Sequence, residues 1–403
     1  MSSDWIDVRE AWREIEGQVQ TLPSERVGLA QAVGRVLAQP VRTDRTYPPF
    51  DRAAMDGFAV RAADVESASH ESPVSLPVVG ESTPGREPDD SVAPGTAIRI
   101  MTGAAVPPGC DAIVPVESTS GFGSDRVRVV SPSAPGRHIA RCGVERAADD
   151  LLFDAGHRLR AADVGALAMV GATQVEVARR PRAAVLSTGN ELVPVDHTPE
   201  RTQIRNSNGP MLIALAAAEA EVESIGVAAD SRRDLGAAVS RGLMYDLLLV
   251  TGGVSMGAYD LVGGCLAAAG VRVHFDRVAL QPGKPLLFGT HPAGAALALP
   301  GNPVSALTTF RLFGVPLLRR LQGVRRVRPV WARALARFDW ERRSPKKWIL
   351  LPGRRVAGGA EVERVPYSGS GDLLAYAQAD CQIVLPPTLE TVSPGTPVDV
   401  WSL

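Results

Sequence analysis

Along the first twenty residues, Trp5, Val8, Trp12, Ile15 and Val19 recur at alternating steps of three and four. That spacing gathers them on one side of a coil and predicts an amphipathic helix, capped by Ser3 or Asp4. A second helix is expected where Leu29, Ala32, Val33, Val36 and Leu37 share one side, stopping before Pro40. From residue 64 to 140 the pattern changes to short apolar runs, at 74–78, 97–100 and 127–130, punctuated by Pro and Gly. Such runs predict a small β-rich domain. A short helix over 163–170 and a strand at 175–177 follow. Residues 180–322 then alternate aliphatic strands (183–186, 246–250, 296–299) with helical segments (210–221, 233–243, 261–269, 304–321). This alternation indicates a parallel sheet covered on both faces. From about Val327 the short strands and Pro-Gly turns return and predict a compact β-barrel or sandwich.

Composition narrows what this architecture serves. The chain has 403 residues, 45% of them apolar, enough for several ordinary cores. Its 43 basic and 44 acidic residues leave a net charge of -1, which argues against a protein held broadly on nucleic acid or membrane by charge. The four cysteines are scattered, so a zinc site or disulfide framework is not expected and a reducing, cytoplasmic setting fits. None of the six histidines falls in a metal-ligand spacing. No apolar run approaches the ~20 residues that span a bilayer.

In a parallel α/β sheet, ligands bind beyond the carboxyl ends of the strands. Three unusual sequences sit there: Ser187-Thr188-Gly189-Asn190-Glu191, Thr251-Gly252-Gly253-Val254-Ser255-Met256-Gly257, and Pro300-Gly301-Asn302-Pro303-Val304-Ser305. Glycines let backbone N–H groups approach an oxyanion, hydroxyls add donors, and helix N-termini supply partial positive charge. One such loop reads as a tight turn. Three at strand ends predict a phosphate or oxyanion cradle. Glu191 and Asp260 stand beside these donors, either to hold a magnesium ion against a phosphate or to cap neighbouring helices. Lys284, in the stiff turn Gln281-Pro282-Gly283-Lys284-Pro285, is one of only three lysines and a candidate point charge for an anion. Met55-Asp56-Gly57 and Met101-Thr102-Gly103, read alone, are ordinary turns.

Taken in order, these pieces resemble the molybdopterin molybdenumtransferase family, whose animal relative is the C-terminal domain of gephyrin. The matching residues run from 48–57 (Pro-Pro-Phe-Asp-Arg-Ala-Ala-Met-Asp-Gly) through Met101-Thr102-Gly103, Asp111-Ala112-Ile113-Val114 and Ser187 to Leu192. They continue with Asn206-Ser207-Asn208, Thr251 to Ser255, 257–260, 282–285 and 300–303. The resemblance implies an α/β multidomain chain in four parts. These are an elongated helical and linker domain (1–50 and 141–179), a β-rich domain (51–140), an αβα three-layer pterin-binding domain (180–325) and a C-terminal β-barrel-like domain (326–403). It further implies a homodimer with the active cleft between subunits, with other molybdenum cofactor synthesis enzymes as further partners. The implied reaction consumes adenylylated molybdopterin and molybdate, uses Mg²⁺ and releases AMP. Asp56, Thr102, Asp230, Lys284 and Ser370 would be catalytic. Thr188, Gly189, Thr251, Gly252, Gly253, Ser255, Pro300, Gly301, Asn302, Pro303 and Ser305 would bind the cofactor, and Glu191 and Asp260 the metal.

Some positions depart from the pattern the resemblance implies. Gln281 stands where relatives commonly carry Lys, Glu145 replaces an Asp, Ala229-Asp230 replaces a paired Asp-Asp, and Ile349-Leu350-Leu351 covers a strand where relatives often place Arg. These charge losses keep an alternative in view: a catalytically weakened paralogue that binds molybdopterin as a sensor, carrier or scaffold.

Overall fold

The structure is a computed structural model and describes residues 5–123, 125–253, 261–343 and 346–403. The chain divides into two units, each described by itself: Met1–Gln39, Ala155–Val164 and Gln174–Leu403 form the larger, and Pro40–Asp154 with Gly165–Thr173 the smaller. Among the described residues no helix is long and apolar enough to cross a membrane.

In the larger unit the opening helix, α1, spans Val8–Gln18 and buries Val8, Ala11, Trp12 and Ile15, as the periodicity predicts. Its cap is Asp7, whose side chain accepts from the Arg9 N–H at 2.8 Å; Ser3 and Asp4 lie outside the described residues. The expected second helix does not form. Leu29–Gln31 makes a single 3₁₀ turn, and Gly34 then takes φ +81°. That left-handed conformation ends a helix. Beyond it, the Leu37 N–H donates to the His157 carbonyl at 2.9 Å, so the chain runs extended. Val36 and Leu37 are still buried, and their apolar character served a β-bridge instead of a helix face.

The central sheet has six strands: β1 (Arg182–Thr188), β2 (Glu221–Ala228), β3 (Leu247–Thr251), β4 (Arg272–Arg277), β5 (Pro285–His291) and β6 (Gly294–Leu299), in the spatial order β2-β1-β3-β6-β5-β4. The first four of that order are parallel. β5 and β4 are joined antiparallel at one edge, so the expected all-parallel sheet is mixed. The reason is connection length: β5 returns to β6 through a short turn, which only antiparallel neighbours permit. Alternation along β1 divides the core. Ala183 and Val185 pack on one face with Trp12, Phe310 and Phe313, and Ala184 and Leu186 on the other with Leu235, Val239 and Leu266. Helices α2 (Asn208–Ala217), α4 (Leu261–Ala268), α3 (Arg232–Gly242), α5 (Pro303–Thr309) and α6 (Val315–Leu321) supply the covering layers.

The C-terminal strands close on themselves. β7 (Ala332–Ala336), β8 (Trp348–Val356), β9 (Glu361–Arg364), β10 (Cys381–Leu385) and β11 (Pro397–Ser402) pair in the ring β8-β9-β7-β11-β10 and back to β8, a five-stranded barrel. Ile349 and Leu351 are buried within it, while Leu350 packs outward against the core that holds Trp12 and Phe310. The short strand Leu280–Gln281 adds parallel to β8, opposite Trp348 and Ile349. In the smaller unit, strands Ala112–Pro115, Gly57–Val60, Ala97–Ile100, Val74–Ser82 and Arg126–Val129 lie side by side in that order, the β-rich domain expected from the punctuated runs.

One buried carboxylate in the larger unit carries a stability prediction. Asp163 is 4% exposed and accepts from the Arg160 N–H at 2.8 Å, from the Arg160 guanidinium at 3.0 and 3.1 Å, and from His157 Nε2 at 2.8 Å. The Arg160 side chain, ahead of the other donors, holds its carboxyl far below the usual range. A depressed carboxyl stabilises the fold above its unfolded pKa and stops doing so as pH falls through the folded one. Asp163→Asn is therefore expected to remove about 2 kcal/mol at neutral pH. The gap between parent and variant should narrow below about pH 4. Denaturant melts at pH 7 and about pH 2.5 check both parts.

Candidate functional site

Because β1, β3 and β6 are parallel neighbours, the loops that leave their carboxyl ends emerge on one edge of the sheet. There they line a cavity of about 890 Å³. Thr188 and Gly189 enter from β1, Thr251, Gly252 and Gly253 from β3, and Pro300 through Pro303 with Ser305 from β6 and the start of α5. The three loops expected to converge do so.

Backbone packs against backbone at this rim. Gly252 takes φ +96°, and its N–H reaches the Leu299 carbonyl at 3.3 Å. A Cβ on Gly252 would lie 2.2 Å from the Thr188 carbonyl oxygen. Buried Asn208, at the start of α2, bolts two of the loops together: its Nδ2 donates to Thr251 Oγ1 at 2.9 Å and to the Gly301 carbonyl at 2.7 Å. Its Oδ1 is buried with no hydrogen-bond partner among the described residues. From the barrel comes Ser370, whose Oγ accepts from Asn302 Nδ2 at 2.7 Å and whose carbonyl accepts from the Val304 N–H at 3.1 Å.

Charge of both signs meets here. Glu191 folds its carboxylate back over Gly189, where an added Cβ would stand 2.6 Å from Oε2. Asp230 Oδ1 accepts from Thr188 Oγ1 at 2.7 Å and Oδ2 from the Asn190 N–H at 3.2 Å, while the Asp230 N–H donates to Asn190 Oδ1 at 3.0 Å. Lys284, Lys347 and Arg205 line the same cavity. Among the described residues no group of three His, Cys, Asp or Glu side chains stands together as a metal site. Two carboxylates with neighbouring hydroxyls fit a hard cation that keeps waters and binds substrate phosphates. Asp260 and Ser255 lie outside the described residues.

Asp56 and Thr102 belong to the smaller unit and meet one another there. Asp56 Oδ1 accepts from the Thr102 N–H and from its Oγ1, both at 2.6 Å. The Thr102 hydroxyl, followed by its N–H, keeps the exposed Asp56 carboxyl below its ordinary pKa. Glu145, in the same unit, pairs with Arg52 at 2.7 Å.

The sequence reading gave no role to Arg205, Asn206, Asn208, Lys347 or Tyr367, all of which line the cavity. Lys347 had a signal: lysine is nearly absent from this chain. Tyr367 had none, since the barrel brings it to the rim from far along the sequence. Burial raises its phenol pKa.

Comparison with known proteins agrees with this geometry. Residues 6–171 match the MoeA N-terminal region (domain I and II), 184–320 a probable molybdopterin binding domain, and 334–403 the MoeA C-terminal region (domain IV). The chain is 36% identical over 388 residues to a molybdopterin molybdenumtransferase of Nostoc sp., covering 94% of this chain and 89% of that one. It is also 36% identical over 404 residues to molybdopterin molybdenumtransferase 2 of Mycobacterium tuberculosis, covering 98% and 99%. A crystal structure of the molybdopterin biosynthesis moeA protein of Pyrococcus horikoshii superposes with a TM-score of 0.84 at 26% identity, covering 99% of this chain and 100% of that one.

Proposed function

The chain belongs to the molybdopterin molybdenumtransferase family, transferases of molybdenum cofactor biosynthesis, and on that premise we propose that its cavity binds adenylylated molybdopterin, accepts molybdate and releases AMP in the presence of Mg²⁺. The observation that carries this reading is the convergence of the Thr188, Gly252 and Gly301 loops with two carboxylates and three cations around one cavity.

In this reading the chain's residues position and neutralise; no covalent intermediate on the protein is needed. Backbone N–H groups of Gly253 and the Gly301-Asn302 loop and the Ser305 hydroxyl receive phosphate and pterin, while Thr188 and Thr251 hold the loops in place through Asp230 and the Pro300 carbonyl. Asn208 acts by holding the Thr251 and Gly301 loops together. Lys284 and Ser370 orient anionic oxygens. Glu191 and Asp230, with Asp260, would hold Mg²⁺, which when bound supplies charge neutralisation at the adenylate phosphates. The dithiolene of the substrate receives molybdenum, and no cysteine is among the described residues that line the cavity. The protein acts as a cytoplasmic homodimer of four-part subunits in which the partner's copy of Asp56 and Thr102 completes the cleft.

Purified protein supplied with adenylylated molybdopterin, molybdate and magnesium is expected to release AMP. Binding without AMP release would instead favour the sensor or carrier reading, which the loss of charge at Gln281, itself in the cavity wall, keeps as the second choice.

A further inference from the structure

Forty of the chain's 43 basic residues are arginines, and of its three lysines two, Lys284 and Lys347, lie over the ring of Trp5, with Nζ 4.4 and 4.7 Å from its centroid. Both lysines also line the cavity. The arrangement is fixed by backbone. The Ala279 N–H donates to the Ile6 carbonyl at 2.8 Å and the Ile6 N–H to the Arg277 carbonyl at 3.1 Å, while the Trp348 N–H donates to the Ala279 carbonyl at 2.9 Å. Trp348 Nε1 closes the set by donating to Asp7 Oδ2 at 3.0 Å. Residues 5–7, 277–285 and 347–349 thus form a three-stranded patch that holds one indole against two ammonium-bearing side chains. An aromatic face attracts an ammonium through its quadrupole, whereas two ammonium groups repel. The ring offsets part of the repulsion between two cations that both line the cavity, where an anion would meet both. An ammonium is a compact point charge on a flexible four-carbon stem that can turn from ring to ligand.

We propose that Lys347 is a binding residue and Trp5 a positioning residue, together forming with Lys284 a paired-ammonium grip for a diphosphate group in the cavity. This deepens the reading of the cavity as the site of a phosphate-bearing substrate and rests on it.

The test uses the full chain and inorganic pyrophosphate as probe, with affinity from calorimetry. Lys347→Gln is expected to weaken pyrophosphate about tenfold and to flatten the salt dependence of binding. Trp5→Ala should weaken it about fivefold, while Trp5→Phe, which keeps a ring, restores most of the loss. Thermal melts confirm that each variant is folded. Pyrophosphate should also change the tryptophan fluorescence of the parent, and Trp5→Phe should remove that change although it still binds. In the AMP-release assay Lys347→Gln should raise KM more than it lowers kcat. A folded Lys347→Gln that binds like the parent, or a Trp5→Ala equal to Trp5→Phe, overturns the grip and leaves the proposed reaction standing. A parent that releases no AMP but shows these pyrophosphate effects removes the reaction and keeps the grip.

Discussion

Gly252→Ala is expected to lower AMP release by about two orders of magnitude or more, because a misplacement of about 1 Å at a positioning loop is worth about a hundredfold. Two independent effects act at this residue. Its φ of +96° is a region an L side chain enters only under strain, worth about 1–3 kcal/mol. The added Cβ would also sit 2.2 Å from the Thr188 carbonyl, an atom of backbone that no rotamer change can move. Overpacking of that kind adds about 1–3 kcal/mol. The strain is relieved only by spreading the β3 loop away from the β1 loop, and the Gly252 N–H is tied to the Leu299 carbonyl at the end of β6. All three loops should therefore shift together.

Gly236→Ala is the control. Gly236 lies inside α3 and a Cβ there meets nothing within 4 Å, so this variant should gain about 0.5–1 kcal/mol and keep full activity. Parallel melts and AMP-release rates for the two alanine variants decide the matter. Equal activity would mean that the rim tolerates displacement and that positioning is not its contribution.

How much of this was legible in the sequence depends on how local each cause is. The loops after β1, β3 and β6 were readable because a strand of aliphatic residues followed by Gly, Thr and Asn carries its own cause within a dozen residues. Closure of the barrel was legible only as a texture, since which strands pair is decided by contacts between distant segments. Leu29 to Leu37 shows the opposite failure. The apolar spacing suits a helix, but Gly34 breaks it and His157, far along the chain, captures the Leu37 N–H. Asn208 and Tyr367 illustrate the same limit within the site, and Asp230 is named only through the family pattern. Asp230 is joined to Thr188 through one 2.7 Å hydrogen bond across 42 residues, and Asn208 to Gly301 across 93. No periodicity reports such a link. Asp56 and Thr102 could be linked to each other only by the family pattern, and the structure adds the two 2.6 Å hydrogen bonds between them.

Glu191→Gln is expected to raise the magnesium concentration for half-maximal activity at least about tenfold and to lower turnover about a hundredfold. The argument begins from repulsion. Glu191 and Asp230 line the same cavity as the loops that receive phosphate. A phosphate oxygen about 4 Å from a carboxylate is opposed by about 4 kcal/mol near a protein surface. An intervening cation converts that opposition into attraction. The substitution keeps the shape of the side chain and removes its charge, so its two consequences have opposite sign. With magnesium, nucleotide-bearing substrate should bind more weakly than to the parent; in a chelator it should bind more tightly, since one repelling charge is gone. Asp230→Asn should behave differently again. One oxygen still accepts from Thr188 Oγ1, but an amide placed at Oδ2 would face the Asn190 N–H, donor against donor. That variant should loosen the β1 loop as well as weaken magnesium binding. Titrations of substrate with and without magnesium separate these patterns. If Glu191→Gln weakens binding equally in both conditions, the carboxylate contacts the ligand directly and its assignment to the cation fails.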